Sequence, residues 1–150
     1  MATVMDVAKK LLTLSASGEE PDPMTHLRLQ KLLYYVQGWS LGVRGVPMFD
    51  ERIEAWAHGP VVKDLFRTYS DHGGTPIPPP DEAVNLTVEE DAFVESVWEE
   101  YKGYSALALR HMTHSEKPWV EARRGYGPAD RCCVEITKDA LREFFSAAAA

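Results

Sequence analysis

The 150 residues suffice for one domain with a sizeable core, and 45% apolar with 26% charged residues is an ordinary globular composition. No apolar run of 18 residues occurs and the N-terminal residues lack a signal-peptide pattern, so we expect no contact with a membrane. The net charge of −7 argues against direct binding of nucleic acid. The two cysteines are adjacent, which predicts a reducing, cytoplasmic setting.

The first third of the chain predicts a short helix and then a long buried one. Thr3 and Asp6 fit a capping box ahead of an apolar stripe with helical spacing. Residues 27–43 carry apolar side chains on every face, which is typical of a helix surrounded by others. Thr25 is its expected cap and Gly45 its expected end. We therefore predict that helix 27–43 is the centre of the fold.

The middle of the chain predicts a brief strand, a third helix and an extended crossing. Residues 53–56 alternate between apolar and polar side chains, which favours a short extended segment. Gly59-Pro60 is expected to open the third helix, because proline is well tolerated at the first helical position. Residues 75–85 contain four prolines and predict an extended connection inside one domain.

The second half predicts further helices. Thr87 and Glu90 form another capping box, and the helix behind them carries an acidic line of Asp91, Glu95 and Glu99. Further on we expect a helix from Ser105 to His114, a helical turn at Pro118, an extended piece at 134–136 and a last helix capped by Thr137. The predicted fold is mainly α: a compact single-domain bundle of about seven helices around helix 27–43, with little or no sheet.

The residue patterns predict no enzyme, no cofactor and no metal site. His111, His114, Cys132 and Cys133 are of the types that bind zinc, but adjacent cysteines lack Cys-x-x-Cys spacing. A cysteine paired with His58 or His114 is a weak basis for nucleophilic catalysis, so a small hydrolase is the alternative of another class. The acidic line is more often a solvated helix face than an ion site.

Two of the four tryptophans lie at predicted element ends. Trp39 and Trp98 fall within apolar helical stripes, which favours core packing. Trp56 and Trp119 lie beside predicted helix starts, where an indole either covers the core or anchors a partner. Covering the core is the favoured interpretation, and anchoring is the alternative that concerns function.

Three motifs in a fixed order resemble a known family. They are Leu-Gln-Lys-Leu-Leu-Tyr-Tyr at 29–35, Glu-Ala-Trp-Ala-His-Gly-Pro-Val-Val at 54–62 and Thr-His-Ser-Glu-Lys-Pro-Trp at 113–119. Together they resemble the Panacea domain of SocA-type antitoxins and phage-associated GepA-like proteins, over about residues 4–146. The resemblance implies a mainly helical domain of prokaryotic or phage origin, without known enzymatic activity, that silences a toxin by direct protein contact.

The resemblance implies that residues 1–150 form a single antitoxin domain of a toxin–antitoxin pair, with a cognate protein toxin as its partner. The alternative within binding is a proteolytic adaptor that delivers the toxin to a ClpXP-type protease. Charge and aromatic content indicate where the partner binds, because an acidic surface steers a basic toxin and tryptophans anchor it. The predicted contact residues are Glu54, Trp56, His58, Glu95, Glu99, His114 and Trp119.

Overall fold

A computed structural model describes residues 1–20 and 22–150 of the chain. Within them are seven α-helices and three short strands: α1 (Val4–Ala16), α2 (His26–Trp39), β1 (Ile53–Trp56), β2 (Gly59–Val62), α3 (Lys63–Tyr69), α4 (Val88–Tyr101), α5 (Ala106–His114), α6 (Lys117–Ala122), β3 (Glu135–Ile136) and α7 (Lys138–Ala149). The predicted mainly α architecture is confirmed.

Helix α2 is the central element, as predicted. Twelve of its fourteen residues are buried, because α1, α4, α5, α7 and β2 all pack against it. The Thr25 side chain caps it by accepting a hydrogen bond from the Arg28 N–H at 3.3 Å. The helix widens into a π-helical turn over Ser40–Arg44 and ends at Gly45, whose φ of 76° is the expected left-handed closing conformation.

Two glycines let α7 lie directly on this central helix. A Cβ atom on Gly38 would overlap the Phe145 ring, and one on Gly42 would lie 2.6 Å from the Phe145 Cβ. The Phe145 ring fills the space at Gly38 and meets the Trp39 ring at 4.9 Å, while the α7 backbone at Phe145 and Ser146 lies against Gly42. The glycines in a helix of otherwise good formers are therefore explained by close packing.

The helix caps predicted from the sequence are also confirmed. Side-chain oxygens accept N–H groups three residues ahead at the starts of five helices: Thr3, Thr25, Thr87, Ser105 and Thr137. At the starts of α1 and α4 an acidic side chain bonds back to the cap N–H, which completes the capping box.

The three strands form a small antiparallel sheet in the order β2–β1–β3. Ile53 pairs with Val62 on one side and with Ile136 on the other, and all three side chains are buried. The sheet thus brings the end of the chain back to its middle, beside the central helix.

The prediction that Gly59-Pro60 opens a helix is wrong. These residues begin strand β2, and helix α3 starts only at Lys63. Gly59 has a φ of 129°, which is far from helical, and all four residues of β2 are buried. The preference of proline for a helix start is outweighed because Val61 and Val62 favour a strand and pair with β1.

No helix among the described residues is long and apolar enough to cross a lipid bilayer.

Candidate functional site

The predicted contact residues lie in two places. Five of them gather where the β1–β2 turn meets α5 and α6, and we call them the tryptophan cluster: Glu54, Trp56, His58, His114 and Trp119. The other two, Glu95 and Glu99, lie on helix α4, which packs against α1 and α2.

Hydrogen bonds and ring contacts hold the tryptophan cluster together. The Trp119 indole N–H donates to the Trp56 carbonyl at 2.9 Å, and the His114 ring stacks on Trp119 with 4.0 Å between centroids. The Trp56 indole N–H donates to Glu54 Oε1 at 2.9 Å, and the Trp56 ring meets the His58 ring at 5.9 Å. The hydrogen bond from Trp119 to the Trp56 carbonyl therefore joins segments 63 residues apart, and the ring contacts order the side chains within each segment.

The two tryptophans differ in exposure. Trp119 is 8% exposed and belongs to the core, whereas Trp56 is half-buried. Trp56 and His58 line a groove of about 370 Å³ whose lining also includes Arg131 and Cys133. Only Trp56 of the pair thus offers an aromatic surface to a partner.

A buried lysine lies next to the tryptophan cluster. Lys31 of α2 is 1% exposed, and its ammonium donates to the Leu27 carbonyl at 3.3 Å. Within the described residues no carboxylate lies within 4.0 Å of it. It contacts Gly59, on which a Cβ atom would lie 3.3 Å from the Lys31 Cε.

Burial controls the charge of this region. Burial, and then the positive charge of Arg110, lowers the pKa of Lys31 to about 8. Burial, with the charge of Lys31 next, lowers the pKa of His58 to about 4. Burial also lowers the pKa of His114. Both imidazoles are therefore neutral at pH 7, and each has one buried ring nitrogen without a hydrogen-bond partner in the described part of the chain.

The three sequence motifs meet around the central helix. Gln30 bonds to both backbone groups of Val62, the last residue of the second motif. The hydroxyls of Tyr34 and Tyr35 donate to the two carboxylate oxygens of Glu116 in the third motif, at 2.9 and 3.0 Å. Burial raises the pKa of Glu116. These hydrogen bonds between the motifs therefore fix the positions of the elements that carry the tryptophan cluster.

All three residues of the acidic line of α4 lie within ion-pair distance of a lysine. Asp91 and Glu95 lie 3.1 and 3.8 Å from the Lys10 ammonium, and Glu99 lies 2.7 Å from the Lys102 ammonium. Glu95 and Glu99 remain exposed. Helix α4 carries six acidic residues and no basic one, so its outer face is negative despite these pairs.

An apolar groove that no sequence motif predicted lies on the other edge of α4. It has a volume of about 400 Å³ and is lined by Trp39, Val43, Phe93, Ser96, Val97, Glu100 and Tyr101. Trp39, predicted to be a core residue, is half-buried here, whereas Trp98 is buried as predicted. One sequence feature could have indicated this groove. Glu89, Phe93, Ser96 and Glu100 are spaced by four, three and four residues, which puts apolar and acidic residues on one line of a helix.

Comparison with known proteins agrees with these motifs. The model of the family described as "Antitoxin SocA-like, Panacea domain" matches residues 29–120, which include all three motifs. A curated relative, Antitoxin SocA of Caulobacter vibrioides (strain NA1000 / CB15N), is 35% identical over 159 residues, covering 91% of this chain and 80% of the relative. No solved structure matches the chain. The chain belongs to the SocA-like Panacea domain family of antitoxins, and the resemblance seen in the sequence is confirmed.

Proposed function

We propose that this chain is an antitoxin that neutralises a cognate protein toxin by binding it directly in the cytoplasm, without catalysis. The observation that carries the proposal is helix α4, which bears six carboxylates and no basic residue and forms one wall of an open apolar groove. A negative face beside apolar surface is suited to a basic protein partner, and the chain's family consists of antitoxins.

The two sets of predicted contact residues have different proposed roles. Glu95 and Glu99 are exposed carboxylates, so they steer a basic toxin during encounter. Trp56 and His58 supply half-buried ring surface for close contact. Glu54, His114 and Trp119 act indirectly, because their hydrogen bonds and stacking fix where the Trp56 ring and backbone lie.

The hydrolase alternative has little support from the geometry. His58 and Cys133 line the same groove, but no hydrogen bond joins a cysteine to a histidine in the described residues. A nucleophile needs a base within hydrogen-bonding reach. We therefore propose a binding protein.

The test starts from the protein that co-purifies with the chain from its native host. That protein and the chain are then expressed together in a heterologous host from separately inducible promoters. We expect growth arrest from the partner alone, restored growth with the chain, and a stable complex on size-exclusion chromatography. Arrest that persists with equal amounts of folded chain present overturns the proposal.

The half-life of the toxin separates two ways of silencing it. Sequestration leaves the half-life unchanged or longer. Delivery to a ClpXP-type protease shortens it only in cells that have the protease, and that result replaces sequestration by the adaptor mechanism.

A further inference from the structure

We propose that the groove between the end of α2 and α4 receives an amphipathic helix of the partner, with lysine or arginine residues beside its apolar face. The proposal rests on the proposed function and adds a second surface for the toxin, besides the ring surface of Trp56 and His58. We call this surface the α4 groove, lined as given above by residues of α2, its π-helical turn and α4.

The walls of the α4 groove are apolar and accessible. Val43 is 60% exposed, and the Trp39, Phe93 and Tyr101 rings are each half-buried. The Trp39 indole N–H donates to the Tyr101 hydroxyl at 2.7 Å, so the polar atom of each ring has a hydrogen-bond partner, and both rings line the groove. An apolar side chain that enters therefore displaces water without leaving these two groups unpaired.

Two carboxylates without ion pairs lie along this edge of α4: Glu100 lines the groove, and Glu89 lies one helical turn before the lining residue Phe93, outside the lining itself. Glu89 and Glu100 are exposed, and no lysine, arginine or histidine lies within 4.0 Å of either in the described residues. The acids on the opposite edge, by contrast, are paired with Lys10 or Lys102. On α4, the exposed carboxylates without an ion pair are thus the two on the groove side of the helix.

Arg44 borders the groove at Phe93, and its contacts are internal. The Arg44 guanidinium lies 5.3 Å over the Phe93 ring and donates to the Ser40 hydroxyl at 3.1 Å. It makes no ion pair with Glu89 or Glu100 among the described residues. The groove therefore keeps both carboxylates for a partner.

The geometry favours a helix as the occupant. The lining residues Phe93, Val97 and Glu100 follow helical spacing, so the groove runs along α4 beside the end of α2. A third helix packs naturally into the trough between two neighbouring helices. Glu89 and Glu100 are eleven residues apart on α4, a separation of about 16 Å at 1.5 Å per residue. The matching occupant carries basic residues about three turns apart on either side of an apolar stripe.

The first experiment uses a synthetic helical peptide of about 16 residues, with leucines in one stripe and a lysine near each end of it. The control peptide has glutamate in place of both lysines. Binding to the wild-type chain is measured by fluorescence anisotropy at low salt, and amide chemical shifts locate the site. We expect the lysine peptide to bind at least about tenfold more tightly than the glutamate peptide, with shifts in residues that line the groove. Equal binding of the two peptides, no binding of either, or shifts elsewhere overturns the proposal.

Variants of the chain make the test specific. Glu89→Lys with Glu100→Lys should reverse the preference between the two peptides. Glu19→Lys with Glu20→Lys makes the same change in net charge at exposed positions outside α4, and should leave the preference unchanged. Val43→Gln removes exposed apolar surface without changing charge, and should weaken the binding of both peptides at least about fivefold. Circular dichroism confirms that each variant is folded.

The same variants in the toxin co-expression test separate this inference from the proposed function. If the wild-type chain protects and the charge-reversal and Val43→Gln variants do not, both are supported. If all variants protect as well as the wild type, the antitoxin function holds and the α4 groove assignment is overturned. If the wild-type chain fails to protect while the lysine peptide binds in the groove, the antitoxin function is overturned. The conclusion that the groove binds a basic amphipathic helix then still holds.

Discussion

The side-chain amide of Gln30 pairs with the backbone of Val62 as a neighbouring strand would. The Val62 N–H donates to Gln30 Oε1 at 2.7 Å, and Gln30 Nε2 donates to the Val62 carbonyl at 3.4 Å. Strand β2 is an edge of the sheet, so its outer N–H and carbonyl groups need partners from elsewhere. A residue of the central helix thus completes the hydrogen bonding of a strand 32 residues away.

Gln30→Leu should lower the free energy of unfolding by about 2–3 kcal/mol, because it leaves the buried N–H and carbonyl of Val62 without these partners. Urea denaturation at pH 7 measures the change. Thr68→Ala, at an exposed position of α3, is the control and should change stability by less than about 0.5 kcal/mol. A Gln30→Leu variant as stable as the control would contradict the strand-completing role.

A second prediction concerns Gly59 at the start of β2. Gly59→Ala should destabilise the protein by about 1–3 kcal/mol, since a φ of 129° is unfavourable for any residue with a Cβ and that atom would lie 3.3 Å from Lys31. Gly45→Ala is the matched control, because Gly45 also has a positive φ but a Cβ atom on it would have no neighbour within 4 Å. Thermal unfolding should show the larger loss at Gly59. Equal losses would mean that neither the larger φ of Gly59 nor its contact with Lys31 adds to the cost.

Local sequence signals predicted the helix starts well, and contacts between distant segments explain the errors. A capping box needs only Thr87 and Glu90, three residues apart, so the sequence contains all of its information. Strand β2 depends on Gln30 and on pairing with β1, which no short window around Gly59-Pro60 contains. The α4 groove likewise exists only because Trp39 and Phe93, on different helices, lie side by side.

Burial explains the division within the candidate site. Local sequence does not distinguish Trp56 from Trp119, since both lie at element ends. The structure buries Trp119 because its indole N–H reaches the Trp56 carbonyl and its ring stacks on His114. Lys31 is recognisable in the sequence as a polar residue within an apolar helix. The sequence does not show that its neighbours in the fold, Gly59 and Arg110, supply no negative charge.

The buried lysine gives a prediction that depends on pH. Burial lowers the pKa of Lys31 from 10.5 to about 8, so the unfolded chain binds this proton more tightly than the folded chain. The destabilisation caused by the buried Lys31 charge is therefore fully present below pH 8. It disappears as the pH rises from 8 to 10.5. Lys31→Met should raise the free energy of unfolding by about 1–3 kcal/mol at pH 7.

Denaturation of the wild type and of Lys31→Met at pH 7 and pH 10 checks this prediction. The difference between the two proteins should shrink at the higher pH. Lys63→Met, which removes an exposed lysine, should differ from the wild type by the same small amount at both pH values. A destabilised Lys31→Met at pH 7 would show that the ammonium has a favourable partner in solution.

The packing of the central helix is tested at Leu33. This side chain is fully buried, so Leu33→Ala should lower the free energy of unfolding by about 2–5 kcal/mol through lost burial and the resulting cavity. Leu107 on α5 is 63% exposed, and Leu107→Ala should cost far less. Chemical denaturation of both variants should rank them in this order, and a neutral Leu33→Ala would contradict the central position of α2.

The last prediction separates the two proposed roles of the contact residues in the toxin complex. Long-range attraction between an acidic antitoxin and a basic toxin mainly sets the association rate, and salt screens it beyond about 8–10 Å. Glu95→Lys with Glu99→Lys should therefore slow association at low salt and leave dissociation nearly unchanged. Trp56→Ala removes half-buried ring surface and should speed dissociation at least about tenfold. Trp119→Ala also removes core packing, so a faster dissociation counts only if the variant proves folded.

Surface-based kinetics on the co-purified pair at low and high salt distinguishes these effects. Wild-type association should slow as salt rises, while dissociation changes little. The charge-reversed variant should lose most of that salt dependence, because it replaces two exposed carboxylates on α4 by ammonium groups. The Glu19→Lys with Glu20→Lys variant changes the net charge by the same amount. It should keep more of the salt dependence of association, since its charges lie outside α4. Association at one rate in low and high salt would show that neither Glu95 nor Glu99 steers the toxin, and that contact surface alone selects the partner.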